Sequence, residues 1–274
     1  MFPAFLLALR EGLEAALVVG LILGTLARLR LAGLRRAVWG GVAGAAAVSL
    51  AVAGGLYAVG RALEGPAEPI FEGATMLLAA AVLTWMLFWM RRHAPHLRRQ
   101  IEADVERASL LRAAGRGLFA LAFFAVVREG VELALFLAAL LFQSGRQPVL
   151  AGALLGLVAA VGLGWAVYSS SLRLNLRLFF RVTTVLLLVF AAGLVAHGVH
   201  EFVEVGWLPP LVDPIWNTNG LLPEQSIPGQ FLKALFGYNG DPTLMEVGAY
   251  LAYVASIAAF LRRPTWRTAP RPVS

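Results

Sequence analysis

The sequence predicts an all-α integral membrane protein with seven transmembrane helices. Of its 274 residues, 59% are hydrophobic and only 14% are charged, whereas charged residues make up about 25% of a soluble domain. The mean hydropathy is +0.75, and several apolar windows reach the roughly 20 residues that a helix needs to cross a bilayer. The sequence contains no cysteine, which excludes disulfides, thiolate metal sites and dithiol redox motifs.

Most of the predicted spans follow one another with short connections. The first apolar stretch lacks a basic leading segment and contains charged residues, so we interpret it as a retained helix rather than a signal peptide. Of the two long connections, residues 91–116 predict an amphipathic helix at 97–111, and residues 200–242 predict a short interfacial helix at 230–236. The predicted spans are residues 2–27, 37–60, 68–90, 117–142, 149–171, 178–199 and 243–261.

The distribution of basic residues predicts the orientation of these spans. Of the 23 Lys and Arg residues, 18 follow the first, third, fifth and seventh spans, and only Arg61, Arg146 and Lys233 lie on the opposite side. Connections rich in Lys and Arg face the cytoplasm. We therefore expect the N-terminus outside and the C-terminus in the cytoplasm.

The motif Arg-Glu-Gly-x-Glu occurs twice within apolar stretches, at residues 10–14 and 128–132. Its copies lie in the first and fourth spans, which cross the bilayer in opposite directions because the fourth span comes three crossings after the first and three is odd. Charged groups of two inverted repeats that meet near the bilayer midplane are typical of secondary transporters. The expected division is repeat one at 1–91, repeat two at 117–199, an added helix at 243–261 and a basic cytoplasmic tail at 262–274.

Each motif places an arginine and two glutamates on one helix face, since residues three and four apart are neighbours there. Burying six such groups would cost about 15 kcal/mol if they were unpaired. Each arginine can hold one carboxylate, which leaves two surplus negative charges, and oxygen ligands favour hard cations. The candidate metal ligands are Glu11, Glu14, Glu129 and Glu132, supported by Arg10 and Arg128. Ion pairs that only hold the two helices together are the structural alternative, although buried pairs are weak evidence for stability.

A second group of ionisable residues ends the sixth span at its outer side. His197, His200, Glu201 and Glu204 are spaced to share a helix face, and imidazole with carboxylate suits several transition metals. We predict a site there that loads a metal from outside; a polar helix end wetted by water is the alternative. Glu72, near the outer end of the third span, is a further candidate ligand, with snorkelling to water as its alternative.

Glycines and tryptophans have simpler predicted roles. Gly12 and Gly130, inside the two motifs, lack side chains and permit close helix approach. Trp85 and Trp89 are expected in an aromatic belt at the membrane interface.

Several segments together resemble the high-affinity iron permeases, which include fungal ferric permeases that work with a multicopper oxidase and bacterial EfeU-type permeases. The segments are Arg-Glu-Gly-Leu-Glu at 10–14, Arg-Glu-Gly-Val-Glu at 128–132, the run at 192–201, Gly-Leu-Leu-Pro-Glu at 220–224 and the loop at 235–242. The resemblance extends over residues 2–261.

This resemblance implies an iron permease transmembrane domain at 1–261 that imports iron and has no cofactor. The four motif glutamates would handle the iron, and the two arginines would hold those acids in place. The implied partners are the iron ion, the lipid bilayer and an extracytoplasmic oxidase or iron-binding protein, without nucleic acid. The implied location is the plasma membrane, here the bacterial cytoplasmic membrane.

The residues themselves leave the substrate open. Hard carboxylates and the fungal members favour ferric iron, and some bacterial members point to ferrous iron. A carrier of another hard cation, such as manganese, magnesium or calcium, is an alternative, since oxygen ligands do not exclude these ions. We do not expect an enzyme, because the sequence offers no paired nucleophile, zinc motif or phosphate loop. The oligomeric state is open, including a homo-oligomer.

Overall fold

The computed structural model describes residues 1–110, 113–144, 146–168 and 176–262. The described residues are mostly helical and contain no β-strand, as predicted. Except for Arg262, the expected basic tail lies outside the described residues. The helices are α1 (Phe2–Arg28), α2 (Arg35–Ala62), α3 (Ala67–Leu110), α4 (Ala114–Ser144), α5 (Arg146–Tyr168), α6 (Leu176–Glu204), α7 (Ile227–Phe236) and α8 (Leu244–Arg262).

Five helices are long and apolar enough to cross a membrane by length and composition. They lie in α2, α3, α5, α6 and α8. The helices α1 and α4, with 27 and 31 residues, are long enough as well, but each carries one Arg-Glu-Gly-x-Glu motif, so apolarity alone does not identify them as spans. The count of seven spans and the orientation stay predictions.

The helix α3 differs from the sequence prediction, because it continues beyond its apolar part as one helix of 44 residues. The amphipathic segment expected at 97–111 is the end of this helix rather than a separate element; residue 111 itself is not described. Arg, Glu, Ala and Leu, which favour helix, dominate the segment. Its buried residues Ile101 and Val105 pack against Ile22 and Leu26 of α1, which holds the extension against the C-terminal half of α1.

The two motif helices are packed in the same way at matching positions. A Cβ on Gly12 would lie 2.7 Å from Cβ of Ala160 in α5, and a Cβ on Gly130 would overlap the side chain of Ser49 in α2. Neither motif helix could approach its neighbour so closely with a side chain at that position. The same two helix pairs are in close contact at a second point. There the glycine lies on the partner helix: Gly152 of α5 packs against Met1 and Ala4, and Gly41 of α2 packs against Phe119 and Ala122.

Replacing Gly130 with alanine is expected to destabilise the protein by about 1–3 kcal/mol, because the new methyl group overpacks the contact with Ser49. The second substitution Ser49→Gly should restore the loss. A methyl group added at Gly54 in α2 would meet none of the described neighbouring residues within 4 Å, so Gly54→Ala is the matched control. Thermal unfolding in detergent compares the variants, and a Gly130→Ala protein as stable as Gly54→Ala would contradict the packing argument.

The short helix α7 forms where the sequence predicted an interfacial helix. Ser226 caps its N-terminus, since the Ser226 hydroxyl accepts a hydrogen bond of 3.1 Å from the amide of Gly229. Gly237 ends it in the left-handed conformation at φ 71°, which glycine adopts without strain. A Cβ on Gly193 of α6 would lie 2.8 Å from Cα of Gly237, so the end of α7 is pressed against α6.

Candidate functional site

The first motif forms a buried ion cluster on α1. Arg10 and Glu11 are each 1% exposed, and Glu14 is 7% exposed. The Arg10 guanidinium donates through Nη1 to Oε1 of Glu11 at 2.8 Å, and its Nη2 lies 2.8 Å from Oε1 of Glu14. The four-residue spacing of Arg10 and Glu14 places both groups on one side of the helix, as the sequence predicted.

The second motif repeats this arrangement on α4 with a more open arginine. Arg128 donates through Nε to Oε1 of Glu132 at 3.0 Å and lies 3.9 Å from Oε1 of Glu129. Both glutamates are 8% exposed, whereas the Arg128 side chain is 33% exposed. The carboxylates of this motif are therefore nearly as enclosed as those of the first, but their counter-ion is not.

Three carboxylates from the two motifs converge. One oxygen each of Glu11, Glu14 and Glu129 lie within 4.8 Å of one another, a grouping of carboxylates that could hold one hard cation. Glu132 joins the cluster through its contact with Arg128. The sequence predicted all four glutamates as candidate ligands, and the structure brings carboxylate oxygens of three of them within 4.8 Å of one another; their role as ligands stays a prediction.

Several carboxylate oxygens of the cluster are buried without a hydrogen bond. Among the described residues, Oε2 of Glu11, Glu129 and Glu132 has no hydrogen-bond partner. Leaving a buried acceptor unsatisfied costs free energy, and more so for a charged group. A cation held among these oxygens would remove that cost.

Three residues of α3 complete the cluster, and sequence reasoning missed them. Arg10 donates to Sδ of Met86 at 3.1 Å and to Sδ of Met90 at 3.3 Å. Cζ of Arg128 lies 4.3 Å from the ring centroid of Trp89. The belt role predicted for Trp89 is therefore incomplete, since its ring covers a motif arginine, whereas Trp85 is 59% exposed on the outer surface of the bundle.

A cavity of 150 Å³ adjoins the carboxylates. The cluster contributes Glu14, Arg128 and Glu129 to its wall. Apolar side chains line most of the rest, including Ile22 of α1 and Ile101 of the α3 extension. In the predicted orientation this cavity lies on the cytoplasmic side of the three carboxylates.

A second acidic group lies where α3 meets α6. A Cβ on Gly73 would lie 2.9 Å from the Gly198 carbonyl oxygen and 3.0 Å from Cβ of Glu201. This close approach sets Glu72 beside α6, where the charges of Glu201 and Glu204 act on it together with that of Glu68. The structure thus brings Glu72 to the glutamates that the sequence predicted at the end of the sixth span. A cavity of 440 Å³ lies against Glu68 and Glu72 and is also bordered by Arg61 and Arg146.

The two predicted histidines are held by different partners. His197 is buried, and its Nδ1–H donates to the carbonyl of Gly193 at 3.0 Å. The Nδ1–H of His200 donates to Oε1 of Glu246 at 3.0 Å. Both Nδ1 atoms are therefore engaged in hydrogen bonds within the protein. Of these two histidines, His200 is the one with an exposed side chain, at 43%, beside the outer acidic group.

Glu246 is a buried anchor that sequence reasoning missed. It lies at the start of α8, where Oε1 accepts from the amide and hydroxyl of Thr243 at 3.1 and 2.9 Å, and Oε2 accepts from Asn239 Nδ2 at 2.8 Å. The spacing Thr-x-x-Glu is the sequence signature of a capping box, so the signal was present. Through its further contact with His200, this cap links α8 to the outer end of α6.

The outer loop is held in place by Glu224. Its Oε1 accepts from the amide of Gly240 at 2.8 Å, and its Oε2 accepts from Lys233 Nζ at 2.9 Å. Burial acts to raise the pKa of Glu224, but these two donors outweigh it and hold the pKa below the usual glutamate value. The carboxylate therefore stays charged and ties the loop to α7.

Comparison with known proteins finds a matching family and several similar proteins. The family model described as "Iron permease FTR1 family" matches residues 1–265. A protein of Yersinia pestis named "Ferrous iron permease EfeU" is 38% identical over 257 residues, which cover 93% of this chain and 90% of the relative. The protein of the same name from Escherichia coli strain CFT073 is 38% identical over 270 residues, covering 96% of each chain. No solved structure matches the chain.

Proposed function

Since this chain belongs to the Iron permease FTR1 family, we propose that it imports iron through the carboxylates of its two Arg-Glu-Gly-x-Glu motifs. The observation that carries the proposal is the meeting of Glu11, Glu14 and Glu129 within 4.8 Å. These carboxylates come from two helices that are distant in sequence, and their spare oxygens suit a cation in transit better than a permanent ion pair. The chain is a multi-pass membrane transporter, and its membrane is proposed to be the bacterial cytoplasmic membrane.

The proposed path has three stages. Iron first loads at the outer acidic group of Glu72, Glu201 and Glu204, with His200 at its edge. It then passes to the carboxylates of α1 and α4. It leaves through the cavity that adjoins Glu14, either when the motif helices rock or when their acids become protonated. The position of each acidic group on α1, α3, α4 and α6 supports this order.

Alternating access would come from two inverted repeats. The matching contacts of Gly12 with α5 and of Gly130 with α2 support a pseudo-symmetric pair of motif helices. In transporters of this type, one repeat or bundle rocks against the other around a fixed site near the midplane. The three carboxylates occupy the junction of α1 and α4, where such a site is expected.

The valence of the iron has two candidates. Carboxylate ligands are hard, which favours ferric iron, whereas the relatives from Yersinia pestis and Escherichia coli are named ferrous iron permeases. An extracytoplasmic oxidase would connect the two, because it would take one electron from each ferrous ion at the outer face, pass it to the oxidase's own electron acceptor and leave ferric iron. An iron-binding partner would deliver the ion without changing its valence. We propose iron import with ferric iron as the ion at the carboxylates.

Uptake of radioactive iron into proteoliposomes tests the function, with ferric and ferrous iron supplied separately. We expect saturable uptake of iron that a tenfold excess of manganese, magnesium or calcium suppresses only weakly. Ferric uptake without an oxidase would support ferric iron at the carboxylates, and uptake of ferrous iron alone would overturn that part. Stronger inhibition by manganese or magnesium than by unlabelled iron would instead favour a transporter of another hard cation.

A further inference from the structure

The two terminal nitrogens of Arg10 divide their donors between two kinds of acceptor, while its buried Nε has no hydrogen-bond partner among the described residues. A guanidinium has five N–H donors. Nη1 serves Glu11 and Met86, and Nη2 faces Glu14 and Met90. Each terminal nitrogen therefore meets one carboxylate oxygen and one thioether sulfur, and both sulfurs come from α3.

The thioethers occupy Arg10 donors that carboxylate oxygens would otherwise take. Sulfur in methionine is a weak, neutral acceptor, so it satisfies a donor without adding negative charge. If carboxylate oxygens took the place of the two sulfurs, the planar guanidinium could hold both oxygens of one carboxylate at once. Oε2 of Glu11 instead has no hydrogen-bond partner among the described residues, which leaves it available to an ion.

Trp89 acts on the second arginine in a comparable way. The guanidinium carbon of Arg128 lies 4.3 Å from the centre of its ring, within the range of a cation–π contact. The ring face is neutral and accepts no carboxylate. It therefore restrains Arg128 while Oε2 of Glu129 and Glu132 stays without a hydrogen-bond partner among the described residues.

A single face of α3 supplies all three contacts. Trp89 and Met90 lie three and four residues after Met86, the spacings of neighbours on a helix face. One helix that carries no part of either motif thus meets the arginines of both.

We propose that Met86, Met90 and Trp89 are positioning residues of the transport site, which hold both motif arginines with neutral side chains and so keep carboxylate oxygens free for the ion. This inference rests on the proposed function, since the ion in question is the transported iron. It adds α3 to α1 and α4 as a determinant of how tightly the site takes its cargo.

The test is the double variant Met86→Leu/Met90→Leu, which keeps side-chain volume but removes both sulfur acceptors. We expect KM for iron uptake to rise about tenfold, the effect of removing an outer partner of a metal ligand, with little change in maximal rate. Met76, also buried in α3, supplies the control Met76→Leu, which should leave KM unchanged. An unchanged KM in the double variant would overturn the proposal.

Trp89 is tested by a second set of variants. Trp89→Leu should raise KM, while Trp89→Phe, which keeps an aromatic face, should restore most of the affinity. Trp85→Leu, at the exposed neighbour one turn away, is the control. Equal effects of Trp89→Leu and Trp89→Phe would show that the ring face is not what matters.

A readout without iron separates this proposal from the transport function. Infrared carboxylate bands of the iron-free protein should shift in Met86→Leu/Met90→Leu, because N–H donors move from sulfur to carboxylate; Glu11→Gln identifies the bands. Unchanged bands would overturn the positioning role even if iron is transported. Wild-type protein that takes up no iron would contradict the proposed function, and the band shift would still decide whether α3 positions the arginines.

Discussion

Replacing Glu14 with glutamine is expected to lower iron uptake by about 100-fold or more while the protein still reaches the membrane. Glutamine has the same shape but replaces a charged oxygen with an amide, at one of three carboxylates that lie within 4.8 Å of one another. Loss of an outer partner of a metal ligand already costs about 10–100-fold, so loss of a proposed ligand should cost at least as much. Glu129→Gln should behave alike, and Glu132→Gln should also impair uptake.

The control for these variants is Glu106→Gln, which makes the same chemical change at an exposed position of the α3 extension. Radio-iron uptake into proteoliposomes at matched protein content separates lost transport from lost protein. Wild-type uptake by Glu14→Gln would rule out a pathway through these carboxylates. Lower abundance with unchanged uptake per molecule would favour a purely structural role for the cluster.

The sequence was sufficient to predict the Arg–Glu pairing within each motif. Arg10 and Glu14 are four residues apart in one apolar helix, so local geometry alone brings them together, and the cost of burying them indicates a function. The same reasoning applied to Arg128 and Glu132. The doubled motif also predicted that α1 and α4 would share a site, because charged groups of two inverted repeats are expected to meet near the bilayer midplane.

The contribution of α3 could not be predicted from sequence, because it depends on contacts between distant parts of the chain. Met86 lies 76 residues from Arg10, and methionine in an apolar span is ordinary. Trp89 fits an interfacial belt equally well until its ring is found over Arg128. Glu246 differs, since Thr-x-x-Glu before an apolar run is a visible capping signal; its bond to His200 is the part that only the fold reveals.

Replacing Arg10 with glutamine is expected to destabilise the protein by about 3–5 kcal/mol, the usual cost of removing one partner from a buried ion pair. Arg10 is 1% exposed and faces Glu11 and Glu14 directly, so its loss leaves buried carboxylates without their counter-ion. Thermal unfolding in detergent should show a lower midpoint. Arg128→Gln should cost less, because the Arg128 side chain is 33% exposed and water can take its place.

Charge repulsion as the cause is tested by adding Glu11→Gln and Glu14→Gln to Arg10→Gln. The triple variant removes one positive and two negative groups, so it should recover stability relative to Arg10→Gln while remaining unable to take up iron. Recovery of stability without transport would separate the two roles of the cluster, since the arginine makes buried acids tolerable and the acids carry the ion. If the triple variant is no more stable than Arg10→Gln alone, packing of the guanidinium against α3, rather than its charge, is what the fold requires of Arg10.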